Sequence, residues 1–177
     1  PSSTYALGRQ TRQHIDQARR IFASSVKADP ADIIITSCGT ESNNTAIIPT
    51  ALALEGKGKH LITSATEHHA VLHPMHYLEE LGFEVTYLSV DDTGRVTLQS
   101  VMDAVREDTI LVSLMYANNE VGSINPIAEI GSFLAEKNIL FHTDAVQAFG
   151  SETIDVRQQH IDLLSVSAHK INGPKGI

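Results

Sequence analysis

Three kinds of polar group stand at the ends of apolar segments in this chain, and together they could do chemistry. In "SVSAHKINGPKGI" (165–177), Lys170 follows a strand-like pattern and is flanked by Ser167 and His169, just before a turn with two glycines. A surface lysine needs no such setting, whereas a lysine that holds a small molecule covalently does. In "FHTDAVQ", Asp144 ends an apolar run, where a carboxylate is costly unless it meets a positive partner or several donors. It either caps a following helix or faces a protonated ring nitrogen, with Gln147 one turn further on. In "SCGTESNN", Gly39 and Thr40 lead into a helix whose first N–H groups can receive an anion. The plainer alternative is an N-cap with Thr40 and Glu41 in the first turn. An anion cradle, a carboxylate and an amine form the set that pyridoxal phosphate requires.

These residues must be positioned by a scaffold, and the hydrophobic pattern says which. Residues 9–27 carry Ile15, Ala18, Phe22 and Val26 at spacings of three and four, which predicts an amphipathic helix. "DIIITS" predicts a strand buried on both faces, and "HLITSA", "EVTYLSV", "TILVSLM", "ILFHTD" and "IDLLSVS" read as further strands. Helical stretches lie between most of them, at 41–55, 68–81, 97–106 and 127–137. Gly82 stands where a C-terminal cap belongs and Pro126 where a first-turn proline belongs, while Pro49 argues for an interrupted helix. Repeated βα units predict an α/β fold with a mainly parallel sheet covered by helices. In such sheets ligands bind beyond the carboxyl ends of the strands. Those ends here read "SCGTES", "ATEHHA", "YANNEVG", "DAVQ" and "AHK", all rich in polar side chains.

Composition narrows the function classes. With 177 residues the chain suits one domain rather than two sizeable ones. A net charge of −8, with 13 Lys and Arg forming no dense block, argues against a nucleic-acid partner. No apolar run approaches the roughly 20 residues of a membrane span. Cys38 is the single cysteine and has no partner for an internal disulfide, so a reducing cytoplasm is the expected location.

The motifs "TSCGTESNN", "TEHHAVLHP", "ANNEVGSINPI", "HTDAVQAFG" and "SAHKINGPKGI" resemble, in order, those of the cysteine desulfurases that serve nitrogenase and iron–sulfur cluster assembly. The resemblance runs from "PSSTYALGR" to "GPKGI", and the "NNE" and "HTDAVQ" patterns favour this group over its selenocysteine lyase siblings. It implies the three-layer α/β/α large domain of fold-type I pyridoxal-phosphate enzymes, spanning residues 1–177. By the same resemblance, Lys170 would hold the cofactor covalently and serve with His68 as a catalytic residue. Asp144 would pair with the pyridinium nitrogen, and Gln147 would contact the phenolic oxygen. Thr40, Ser167 and His169 would hold the phosphate with the Gly39–Thr40 backbone. Asn119 would approach the ring-oxygen side, and His68 would stack on the ring. The implied substrate is L-cysteine, converted to alanine with sulfur left on an enzyme cysteine and passed to an iron–sulfur scaffold protein. The resemblance also implies a homodimer.

Two features depart from that pattern. Cys38 matches a structural position beside the phosphate cup rather than the family's nucleophile, and a pinned, slowly alkylating thiol is expected there. The nucleophile, the substrate-binding arginine and a phosphate-binding residue lent by a second subunit are not found, so the chain is expected to be a truncated stretch that is inactive alone. The alternatives are a related enzyme acting on selenocysteine or cysteine sulfinate, and a non-catalytic scaffold of the same fold. Separately, His69, His73 and His76 recur at i, i+4 and i+7, a spacing that can ligate zinc or nickel. Pro74 interrupts that pattern, and it reads as a partly solvated histidine face with no metal site.

Overall fold

The computed structural model describes residues 4–176. Pro1, Ser2 and Ser3 at the head of "PSSTYALGR", and Ile177 at the end of "GPKGI", lie outside the described residues. Five parallel strands form one sheet: β1 (His60–Ser64), β2 (Glu84–Leu88), β3 (Thr109–Met115), β4 (Leu140–Asp144) and β5 (Leu163–Ser165). Their order is β2-β1-β3-β4-β5. The helices are α1 (Ala6–Val26), α2 (Gly39–Leu54), α3 (His69–Glu80), α4 (Leu98–Ala104) and α5 (Ile127–Lys137).

Alternation along the strands explains why helices cover both faces. Leu61 in β1 packs with Ile47 and Ala51 of α2 and with Val71, Met75 and Leu78 of α3. Its neighbour Ile62 joins a second core with Val101 of α4 and Ile130 and Leu134 of α5. Leu111 and Val112 in β3 divide in the same way. A strand that feeds two cores is buried on both faces, which is why the centres of these segments read as hydrophobic runs. The result is a three-layer α/β/α architecture.

Local chemistry sets the element ends. Gly82 takes the left-handed conformation (φ +90°) just past α3, and its N–H donates to the Glu79 carbonyl at 3.0 Å. Pro126 is the N-cap of α5, one position earlier than expected. Pro49 does not interrupt α2, which runs through it for 16 residues. Pro74 sits inside α3, and the Ala70 carbonyl that a residue 74 amide would have served accepts instead from Asn44 Nδ2 at 3.5 Å. At the opposite end of the sheet the wholly buried His60 bridges Thr109 Oγ1 (2.7 Å) and Thr86 Oγ1 (2.8 Å), tying three strands together.

One expected strand is not formed. "DIIITS" is extended at Ile33 but belongs to no sheet among the described residues, and Ile34 is 73% exposed. A β-branched run sets an extended backbone, whereas a strand also needs a neighbour to exchange hydrogen bonds. Here Ile33, Ile34 and Ile35 instead line a groove of about 1210 Å³ that includes the Ile15, Ala18 and Phe22 face of α1 and Leu163 and Leu164 of β5.

Candidate functional site

The connection after β1 runs outward to β2, while the chain then returns to β3 and continues to the other edge. That reversal makes the β1/β3 boundary a topological switch point. Near it, at the carboxyl ends of the strands, lies a cavity of about 260 Å³. All nine residues singled out from the sequence line it: Gly39, Thr40, His68, Asn119, Asp144, Gln147, Ser167, His169 and Lys170. They come from the start of α2, the start of α3 and the segments after β3, β4 and β5.

Asp144 is 7% exposed. Its Oδ2 accepts from Asn43 Nδ2 at 2.7 Å and its Oδ1 from the Val146 N–H at 3.0 Å. Burial pushes its carboxyl above the usual carboxylate range, and the Val146 and Asn43 donors offset this only in part. The helix-cap alternative falls away because no helix follows Asp144 directly: residues 146–148 form a turn, with the Ala148 and Phe149 N–H groups both donating to the Ala145 carbonyl. Gln147 is half-buried on that turn. Asn43, one turn into α2, is the partner that sequence reading missed. Its only signals were its place three residues after Thr40 and its polarity on a face carrying Ile47 and Ala51.

The rim is built from helix starts and one short 3₁₀ turn. Cys38 is the N-cap of α2 and Gly39 its first residue. A Cβ at Gly39 would meet Val146 Cγ2 at 3.1 Å and Ser167 Cβ at 3.5 Å, so glycine lets the helix start sit against the ends of β4 and β5. The Glu41 carboxylate turns back to the Ser37 hydroxyl (2.7 Å) and N–H, away from the cavity. Ser167 Oγ and His169 Nδ1 are 2.8 Å apart, and Lys170 follows on the 3₁₀ turn Ala168–Ile171 with its side chain exposed. His68 is the N-cap of α3, and its Nδ1 accepts from the Ala70 N–H at 3.0 Å. The neutral ring therefore carries its hydrogen on Nε2.

A buried polar chain supports this rim from beneath. Ser42 Oγ donates to Ser165 Oγ (3.0 Å), which meets His142 Nε2 (3.0 Å), while His142 Nδ1 meets Ser113 Oγ (2.7 Å). His142 is wholly buried, and burial pushes its imidazole down to about 3, so the ring is neutral. The chain links α2, β5, β4 and β3 directly below the residues that line the cavity.

The expectation for Cys38 changes, and the histidine face finds its place. Cys38 is exposed rather than pinned, because the segment before it joins no sheet among the described residues. The Glu41 backbone N–H, then the Ser37 hydroxyl, hold its thiol below the usual range. His69 and His73 rings lie 5.2 Å apart, but His76 bonds Glu79 (2.9 Å) and Tyr87 (3.0 Å). No group of three His, Cys, Asp or Glu among the described residues is arranged to hold a metal.

Comparison with known proteins places the chain in a family. A curated cysteine desulfurase IscS of Dictyoglomus turgidum is 54% identical over all of this chain and 45% of its own length. One of Methanosarcina thermophila is 53% identical over 99% of this chain and 44% of its own. The chain thus spans about half the length of the curated relatives it matches. Among solved structures, SspA in complex with cysteine superposes with a TM-score of 0.96 at 42% identity, covering 99% of this chain and 51% of that one. The family described as aminotransferase class-V matches residues 1–177, and the chain belongs to it.

Proposed function

We propose that this chain is the pyridoxal-phosphate-binding part of a cysteine desulfurase. The observation that carries the reading is convergence: nine residues from five separate segments line one cavity. The residues fit the cofactor on physical grounds. A helix start without a Cβ offers backbone N–H groups to a phosphate. A buried carboxylate with raised proton affinity suits a ring N–H⁺, and an amine stands on the rim. Pyridoxal phosphate supplies, when bound, the electron sink for charge developing at the substrate Cα.

The chain's own residues would do the rest. Gly39, Thr40, Ser167 and His169 would hold the phosphate, and Gln147 and Asn119 would contact the ring oxygen side. Asp144 would keep the ring nitrogen protonated. The Lys170 Nζ would hold the cofactor and, once released by substrate, take the Cα proton. His68, with its hydrogen on Nε2, would cover the ring and move protons at the substrate. L-cysteine is the favoured substrate because the relatives carry that activity in their names and SspA was solved with cysteine. Transfer of sulfur to an iron–sulfur scaffold protein, a homodimeric assembly and a cytoplasmic location belong to the same reading.

Titration of the cofactor-loaded protein with L-cysteine, followed by visible absorption, tests it. Perturbation of the cofactor band by L-cysteine at lower concentration than by cysteine sulfinate is expected. A band that responds to the sulfinate and not to L-cysteine would favour the desulfinase alternative, and one indifferent to both would overturn an enzymatic role.

A further inference from the structure

Glu67 immediately precedes His68, is 6% exposed and has no part in the mechanism above. Its Oε1 accepts from Ser64 Oγ at 2.7 Å and from the Met115 N–H at 2.9 Å. Its Oε2 is buried with no hydrogen-bond partner, and no lysine or arginine bridges it among the described residues. Met115 is the register partner of Asp144 across β3 and β4, so a second carboxyl stands close to the cavity floor. An ionised carboxylate is not retained in such a place without a cation.

We propose that Glu67 is a neutral carboxylic acid that positions the cavity walls, tying the His68 segment to the strand end that leads into Asn118 and Asn119. Asn118 makes the companion tie, donating from Nδ2 to the Thr66 carbonyl at 3.2 Å while its Oδ1 accepts from the Glu120 and Val121 N–H groups. The two links fasten the loop after β1 to the loop after β3, across the switch point. Neutrality leaves Asp144 as the negative charge available to a ring nitrogen. Burial lifts the Glu67 carboxyl to about 8, against the pull of the Met115 N–H and the Ser64 hydroxyl and with repulsion from Asp144 added. The charged group that bears on this carboxyl is Asp144 from β4.

The value of the tie to the cavity rests on the cofactor reading, whereas the protonation of Glu67 does not, and the test separates them. Infrared difference spectra of the cofactor-free protein at neutral pH should show a protonated carboxylic acid carbonyl band that Glu67→Gln lacks. If no band is lost on going from the wild type to the variant, the neutral acid is overturned. Pyridoxal phosphate is then titrated into the wild type, Glu67→Gln and Glu67→Leu, with circular dichroism and melting confirming each fold. Glutamine keeps the acceptor and replaces O–H by N–H, so its affinity and visible maximum should match the wild type within about threefold, the ordinary context scatter of such contacts. Leucine removes the acceptor and should weaken binding by about tenfold or more while moving the maximum. Equal loss in both folded variants would show that charge is required, and wild-type affinity in the leucine variant would show that the tie positions nothing. A wild type that fails to bind the cofactor would remove the proposed function, leaving the infrared result to judge Glu67.

Discussion

Asp144 carries the electrostatics of the cavity floor. Its two donors, Asn43 and Val146, hold it in place, while burial raises its carboxyl above the usual carboxylate range. Asp144→Asn is nearly isosteric, so the fold should persist and cofactor affinity should fall by roughly ten- to a hundredfold, the equivalent of about 1.5–3 kcal/mol for a charge-assisted hydrogen bond. Unchanged affinity by absorbance titration would reduce the carboxylate to a turn-forming group. Cys38 provides a second check at this scale. Its exposure and lowered thiol pKa predict ready alkylation by iodoacetamide, and its place on the cavity wall predicts protection by pyridoxal phosphate. Equal labelling rates with and without the cofactor, read by mass spectrometry, would separate Cys38 from the site.

At the scale of elements, the site depends on how α2 is fastened to the sheet. Asn43 and Ser42 reach Asp144 and Ser165 from one turn of that helix. Asn43→Ala leaves the buried Asp144 Oδ2 without its donor, so chemical unfolding should show a loss of about 1–3 kcal/mol; a wild-type midpoint would mean that the tie is dispensable. Much of this arrangement is legible in sequence. The strand ends and the polar groups following them are marked by apolar runs that stop abruptly, and α5 appears at its expected bounds. What escaped was non-local. Asn43 finds Asp144 across 101 positions, and Glu67 reads as one more polar residue in "ATEHHA" until Met115 is seen beside it. His142 was hidden inside "ILFHTD", where its neutrality comes from burial and its ring nitrogens meet hydroxyls of β3 and β5. The "DIIITS" segment misled for the same reason, since its side chains favour extension while pairing is decided elsewhere.

Over the whole molecule, buried titratable groups shape stability in opposite directions. Glu67, lifted to about 8, stays protonated in the fold while the unfolded chain ionises above about 4.5, so stability falls as pH rises between those values. His142, pushed down to about 3, stays neutral while the unfolded chain takes a proton below about 6.5, so stability falls as pH drops from there. The cofactor-free protein should therefore be most stable between about pH 4.5 and 6.5, with limbs of up to about 1.4 kcal/mol per pH unit for each group. Urea unfolding across pH should show Glu67→Gln flattening the alkaline limb and extending the acid limb up to about pH 6.5, because the Glu67 slope no longer offsets that of His142; wild-type stability that climbs from pH 6 to 8 would contradict this. The central claim, that the convergent residues form a pyridoxal-phosphate site held by one amine, has a more direct test. The protein is loaded with pyridoxal phosphate, reduced with borohydride, digested and mapped by mass spectrometry. A stable pyridoxyl adduct on Lys170 is the predicted result, whereas an adduct confined to Lys175 or Lys137, or none at all, would contradict it.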